Sequence, residues 1–179
     1  IEILSQRCNS PKAKEDLIMG RADLGIVLTA SLEHTVLEYL PLWTGELLLA
    51  LPDGHPEVSQ EEIHAGNFEK LRDDYFVLTH APSFARDSEE QILRAMQLQP
   101  NVICEVEDNV SRRYMLNKGL GNAFVPGDSH HEGDTFRTYS LNPPFTFYIV
   151  AAYPKTCTLS EPMKQLIRLL LTHFEHSAL

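Results

Sequence analysis

Cysteine, clustered basic charge and long apolar stretches are all scarce in this chain, and each scarcity removes a class of function. Only three cysteines occur, Cys8, Cys104 and Cys157. They are odd in number, far apart and without a CxxC, which disfavours a disulfide framework or a zinc site and favours the reduced thiols of a cytoplasmic protein. Lysine and arginine total 15 against 25 aspartates and glutamates, a formal charge of −10, and no basic run is longer than Arg112-Arg113. A duplex-binding surface needs clustered cations to displace condensed counterions, so this chain alone is not expected to hold nucleic acid. No apolar run approaches the ~20 residues of a membrane span; the longest, Gly45–Leu51 and Phe145–Ala152, are strand-sized. GxSxG, HExxH and Cys–His signatures are missing, so no nucleophile or acid–base pair is marked and the chain does not read as an enzyme. Cys104 reads as a buried, inert strand residue. The opening residues lack the charged lead and cleavage site of an export signal, and the chain begins at Ile1 rather than at methionine, as a piece of a longer polypeptide would.

What remains is ordinary globular material, 43% hydrophobic and 22% charged over 179 residues, patterned as alternating strands and helices. Ile1–Leu4 reads as a strand, and Ser10-Pro11 opens a helix to Met19 that Gly20 stops, with Ser as the cap and Pro in the first turn. Ala22–Leu28 is an apolar run of strand length, so Ile1–Leu28 reads as a strand–helix–strand unit with a parallel sheet. Val36–Leu40 reads as a strand ended by Pro41, and Glu46–Leu51 as another ended by the turn Pro52-Asp53-Gly54. Ser59-Gln60-Glu61-Glu62 is a capping box that starts a short helix to Ala65. Strands follow at Tyr75–Thr79, Asn101–Val106 and Asn122–Val125, separated by helices at Arg86–Leu98 and Asn109–Asn117. Pro126–Asp134 is a polar loop, Thr135–Leu141 and Phe145–Tyr153 are strands around Asn142-Pro143-Pro144, and a capped amphipathic helix closes the chain with Met163, Leu166, Ile167, Leu170 and Phe174 on one face.

Two such halves, linked by strands near Leu51 and Tyr148, predict two α/β lobes whose ligands bind beyond strand carboxyl ends and at helix N-termini, in a cleft between them. Three segments carry a more specific resemblance. They are Gly20-Arg21-Ala22-Asp23-Leu24-Gly25-Ile26 after a helix, Leu42-Trp43-Thr44-Gly45-Glu46 continuing through Leu51-Pro52-Asp53-Gly54-His55-Pro56, and Lys118-Gly119-Leu120-Gly121-Asn122-Ala123-Phe124-Val125-Pro126. In this order, ahead of a closing amphipathic helix, they resemble the effector-binding domain of LysR-type transcription regulators. The resemblance implies an α/β, type II periplasmic-binding-protein-like fold of two Rossmann-like lobes joined by two crossover strands. Residues 1–52 and 149–179 would form lobe I and 53–148 lobe II. It also implies that the N-terminal part of lobe I and the winged helix-turn-helix are missing from this chain. A small-molecule effector, commonly anionic, would bind between the lobes without being transformed. The regulator would be a cytoplasmic homodimer or homotetramer that reaches DNA through the missing segment, with no cofactor, metal or membrane partner.

Each candidate effector contact has a plainer alternative. Ser10 precedes a helix whose free N–H groups suit an anion, and stands where the resemblance places a pocket hydroxyl; otherwise it is an N-cap. Thr29 ends the strand over 22–28, beside Leu28, where the resemblance places an arginine in some aromatic-acid sensors; otherwise Thr29 is loop. In Thr79-His80-Ala81-Pro82-Ser83-Phe84-Ala85-Arg86, Thr79 and Ser83 can exchange hydrogen bonds with a ligand, Phe84 can wall its apolar surface and Arg86 can pair with a carboxylate or face solvent. Asn109 is a contact or a capping residue, and Pro126 closes a pocket floor or begins a turn. Gly119-Leu120-Gly121 lacks the third glycine of a dinucleotide fingerprint and reads instead as a helix end. His130-His131-Glu132 lacks the i, i+4 spacing of a helical zinc pair. Two other functions share this architecture, a transporter's solute-binding protein and an enzyme such as a dehydratase. The first requires an export signal upstream of Ile1, the second a convergent acid and base.

Overall fold

The computed structural model describes residues 3–129 and 131–177. The chain forms two compact units, residues 1–44 with 147–179 and residues 45–146. Both belong to one run of elements: α1 (Ser10–Ile18), β1 (Gly25–Thr29), β2 (Leu37–Pro52), α2 (Gln60–His64), a 3-10 turn, β3 (Tyr75–Thr79), α3 (Phe84–Ala95), β4 (Asn101–Val106), α4 (Asn109–Asn117), β5 (Ala123–Pro126), β6 (Phe136–Tyr139), β7 (Phe145–Pro154) and α5 (Glu161–Ser177). Strands pair in the order β1-β7-β2-β5, with β6 also on β2, and β3 pairs with β4.

The first unit is built on β1, which runs antiparallel to β7 with Gly25 opposite Ala152 and Thr29 opposite Tyr148. α1 covers this pair: Leu17, Val27, Leu37, Tyr39, Val150 and Ala152 form one buried cluster, with Ala13 against it. Trp43 and Phe147 tilt against each other at 5.6 Å. The expected parallel strand–helix–strand opening is therefore corrected. Residues 3–9 form no strand, Ile3 and Leu4 are exposed, and β1 ends the strand path with β7 as its partner. An isolated alternating run has no ladder to join, and a strand without a neighbour leaves its backbone groups to water.

The expected break at Pro41 is also corrected, because β2 is a single strand of 16 residues that runs through it. Proline removes one ladder donor and is tolerated wherever that N–H has no strand partner to serve. In the second unit β2 pairs antiparallel with β5, Leu47 opposite Pro126, and with β6, Leu49 opposite Tyr139. β3 and β4 are parallel, and β3 also meets the start of β5 through Val77 N–H to Asn122 O and Asn122 N–H to Tyr75 O, both 2.8 Å. That approach needs Gly121, since a Cβ there would sit 2.8 Å from the Tyr75 carbonyl oxygen. Ala50, Val77, Val106, Leu116, Ala123, Val125 and Phe136 fill the core beneath α4, with the half-buried Cys104 against them rather than fully inside.

Helix ends follow local chemistry. Ser59 and Glu62 form the capping box of α2, whereas α1 is capped by Asn9, one residue before the expected Ser10. Ser83 caps α3, which starts at Phe84 rather than near Arg86, and Asp108 caps α4. At the other end, α1, α2 and α4 close on left-handed Gly20, Gly66 and Gly119, while α3 uses Gln97, at φ 56°, in the same position. The closure has the same double bond in α3, Gln97 N–H to Arg94 O and Leu98 N–H to Leu93 O, the pattern that normally recruits glycine. On α5, Ile167 is buried and Leu169 exposed.

Candidate functional site

In the second unit the carboxyl end of β3 meets the N-termini of α3 and α4, an arrangement in which unpaired helix N–H groups and strand-end side chains converge. Its centre is a buried ion pair that sequence reasoning did not single out. Arg112, 3% exposed, lies 3.1 Å from Glu89, 1% exposed. Both residues bracket Thr79: its N–H and its hydroxyl donate to Glu89 at 2.7 and 2.6 Å, and its hydroxyl accepts from Arg112. Arg112 also donates to the Asn109 side-chain carbonyl at 2.8 Å, and its buried Nε has no partner among the described residues. Burial pushes the Glu89 carboxyl above the ordinary range against the pull of Arg112 and Thr79, and burial likewise pulls the Arg112 guanidinium below its usual value. Both shifts reflect the energetic cost of taking a charge out of water, which the pairing offsets only in part.

A second, more exposed cluster sits alongside. Arg86 donates to the Thr79 carbonyl at 3.0 Å, to Glu105 at 2.6 Å and to Glu90 at 2.8 Å, and His80 Nδ1 lies 3.1 Å from Glu105. The Arg86 hydrogen bond, with help from His80, holds the Glu105 carboxyl below its ordinary value. The Arg86 fork is thus occupied inside the protein, which leaves less of it for a ligand carboxylate than the sequence reading allows.

The remaining candidates divide by what they have left to offer. Thr79 is buried and its single hydroxyl proton is committed to Glu89. Ser83 accepts from Arg86 N–H at 3.1 Å, and its own hydroxyl proton meets no acceptor among the described residues. Asn109 is exposed, accepts from Arg112, and keeps both amide protons free among those residues. Phe84, half-buried, begins α3, and Pro126 ends β5. The fold thus brings Thr79 and Asn109 onto one guanidinium and puts Ser83 and Phe84 at the head of the adjoining helix. In the first unit, Ser10 accepts from Leu28 N–H at 2.9 Å, which fastens the start of α1 to the end of β1 and leaves the Ser10 hydroxyl proton without an acceptor among the described residues. Thr29, one residue on, is buried and exchanges hydrogen bonds with Ser31 at 3.0 and 3.4 Å.

The missed pair Glu89 and Arg112 had one faint signal. Glu89 lies one turn before Ile92 and Leu93 on the face of α3 that enters the core, so its position is that of a residue that must bury. Nothing local marks Arg112 apart from its neighbour Arg113, which instead binds Asp134 at 2.6 Å. The His130-His131-Glu132 run falls partly outside the described residues, and among those described no cluster of three potential metal ligands occurs. No described helix is long and apolar enough to cross a membrane.

Residues 1–175 match the family described as LysR substrate binding domain. By sequence the chain is 28% identical, over 132 residues, to the HTH-type transcriptional regulator AlsR of Bacillus subtilis (strain 168), a match covering 72% of this chain and 42% of that protein. The chain thus spans less than half of that relative, and the transporter alternative finds no support in a relative of this kind. By structure it resembles the effector binding domain of QuiR in complex with shikimate (TM-score 0.69, 20% identity, 94% of this chain and 79% of that one). It also resembles the Synechocystis PCC6803 CcmR regulatory domain in complex with 2-PG (TM-score 0.72, 15% identity, 93% of this chain and 80% of that one). These likenesses establish the shared periplasmic-binding-protein-like α/β fold, and the match over residues 1–175 establishes the lineage: this chain belongs to the LysR substrate-binding domain family.

Proposed function

We propose that this chain is the effector-sensing part of a LysR-type transcription regulator. It binds a small, oxygen-rich, preferably anionic metabolite, performs no chemistry on it, and passes the binding event to a DNA-binding segment of the full-length cytoplasmic homo-oligomer. The observation that carries this reading is the asymmetry of unused hydrogen-bonding capacity. Around Thr79 the carboxylates of Glu89 and Glu105 are engaged by Thr79 and Arg86, while donors remain on Ser83 and Asn109 at the heads of α3 and α4. Ser10 in the first unit has the same character. Leftover donors next to helix N-termini favour a ligand that presents oxygen acceptors. Phe84 supplies apolar surface, Thr79 fixes the loop, and Thr29 and Pro126 bound the strand ends of their own units. Shikimate and 2-PG, bound by the QuiR and CcmR domains, belong to this chemical class.

The test is a thermal-shift screen of the chain with carboxylates, phosphates and polyols, shikimate and 2-PG among them. A hit at a hundredfold excess over Kd stabilises the protein by about 2.7 kcal/mol. Combining Ser83→Ala with Asn109→Ala should weaken that hit by about a hundredfold, since each lost hydrogen bond to a charged ligand is worth roughly 1.5 kcal/mol. An oxyanion that binds equally well to this double variant would overturn the assignment.

A further inference from the structure

Asn109 is exposed, yet its carboxamide is held from inside the fold. Its side-chain oxygen accepts from Arg112 Nη1 at 2.8 Å. A guanidinium offers only N–H groups, so the amide oxygen, and not the amide nitrogen, must face it. Both amide protons are then directed away from Arg112, and no acceptor takes them among the described residues. The two side chains stand three positions apart at the head of α4, a spacing that puts them on one helix face. Asp108, the neighbouring carboxylate, is turned to Ser111, accepting from its N–H at 2.8 Å and from its hydroxyl at 3.0 Å.

Arg112 is fixed in turn. Its Nη2 lies 3.1 Å from Glu89 Oε1 and donates to the Thr79 hydroxyl, while Glu89 Oε2 accepts from the Thr79 N–H at 2.7 Å. Each bond of this node has one permitted sense. The carboxylate accepts, the guanidinium donates, and the Thr79 hydroxyl gives its single proton to Glu89 and accepts from Arg112. The sequence of bonds therefore runs from a buried carboxylate to an exposed amide and ends with donors outward. In the usual strong arrangement, two guanidinium N–H groups run parallel onto both oxygens of a carboxylate. Here Nε is buried without a partner among the described residues, and Nη1 is turned to Asn109 instead. A stranded buried donor is a feature that stability alone does not explain.

We infer that Arg112, held by Glu89, is a positioning residue for effector specificity. It fixes the Asn109 carboxamide with its protons outward, so the site takes groups that present oxygen acceptors and rejects groups that present N–H there. This rests on the effector reading above and adds to it the reason why Asn109 donates rather than accepts. A free carboxamide can turn over and offer its oxygen, whereas a pinned one cannot. Three χ1 wells and two amide faces give about six orientations. A ligand that needs one of them finds it in about one unpinned molecule in six, which lowers affinity about sixfold.

The test uses the 179-residue chain, with NMR relaxation of side-chain amides and inorganic phosphate as the probe. In the ligand-free protein the Asn109 amide should show an order parameter of about 0.85, that of a rigid backbone, although the residue is exposed. A value below about 0.6 would overturn the inference before any variant is made. Combining Arg112→Met with Glu89→Leu removes the pin without stranding a charge. In that double variant the Asn109 value should fall below about 0.6 while the backbone amides of α4 keep theirs. Phosphate affinity should drop about sixfold with it. Asn109→Asp, which keeps an oxygen for Arg112 but offers no outward donor, should lose roughly tenfold or more. An amide that stays rigid in the double variant, or a phosphate affinity lost in Asn109→Ala but kept by the double variant, would overturn the positioning role and leave the effector reading intact. An affinity indifferent to Asn109→Ala would overturn both.

Discussion

Arg112 illustrates how one residue ties stability to the site. Removing either member of a buried ion pair strands the other charge, so Arg112→Met should cost about 3–5 kcal/mol in urea unfolding. Replacing both, Arg112→Met with Glu89→Leu, should recover most of that loss, because an apolar pair of similar volume has no desolvation cost. Equal destabilisation by the double and single variants would mean that Thr79, not charge pairing, governs the node. Asp134 provides a pH-dependent counterpart. Burial works against its charge, but bonds from Asn117, the His131 N–H and Arg113 outweigh it and lower its pKa from 3.8 to about 2. A depressed carboxyl stabilises the fold above its unfolded value and loses that contribution as pH falls through the folded one. Asp134→Asn should therefore be less stable by about 2 kcal/mol at neutral pH. The difference should shrink below pH 3.8 and vanish near 2. A pH-independent difference would assign the effect to packing.

At the scale of elements, the four closures of α1 to α4 provide an internal comparison. Three use a left-handed glycine and α3 alone places Gln97 there, at φ 56°. A side chain in that conformation costs about 1 kcal/mol, part of which returns as unfolded-state entropy when glycine replaces it. Gln97→Gly should thus raise the denaturation midpoint by an amount worth about 0.5–1 kcal/mol, and a fall would mean that the Gln97 side chain makes a contact of greater value. The same elements separate what local sequence encodes from what it does not. β3, α4 and the capping box of α2 are legible because each carries its own start and stop. The strand expected at Ile1–Leu4, not seen at its described residues 3–4, and the break expected at Pro41 share one reason: strand identity depends on a partner strand, and partners are distant in sequence.

For the whole molecule, charge and division into units set the behaviour to be expected. A chain at −10 with its cations scattered should show no salt-dependent retention on duplex DNA; binding that weakens steeply between 50 and 200 mM salt would contradict the proposal that DNA contact resides elsewhere in the regulator. Phe84→Ala should weaken an identified effector by about tenfold while leaving the thermal midpoint of the free protein within a few degrees, since the residue is half-buried at a helix head. Unchanged affinity would remove Phe84 from the site. The two units, residues 1–44 with 147–179 and residues 45–146, each carry their own core, so ligand-induced shifts can be followed in one without presuming a change in the other.

By itself the sequence determined the alternation of elements, most of their boundaries, the family and the residues at strand ends where a ligand is expected. These depend on period, caps and turn residues, which act over a few positions. Only the tertiary structure decided which of those candidates retain a free proton, because that depends on where neighbours such as Glu89 and Arg112 are held once α3 and α4 pack against β3. Thr79, Ser83 and Asn109 look alike as polar residues in a string. With the Thr79 hydroxyl donating to Glu89 and the Asn109 carbonyl accepting from Arg112, they differ in what they can still offer to a ligand.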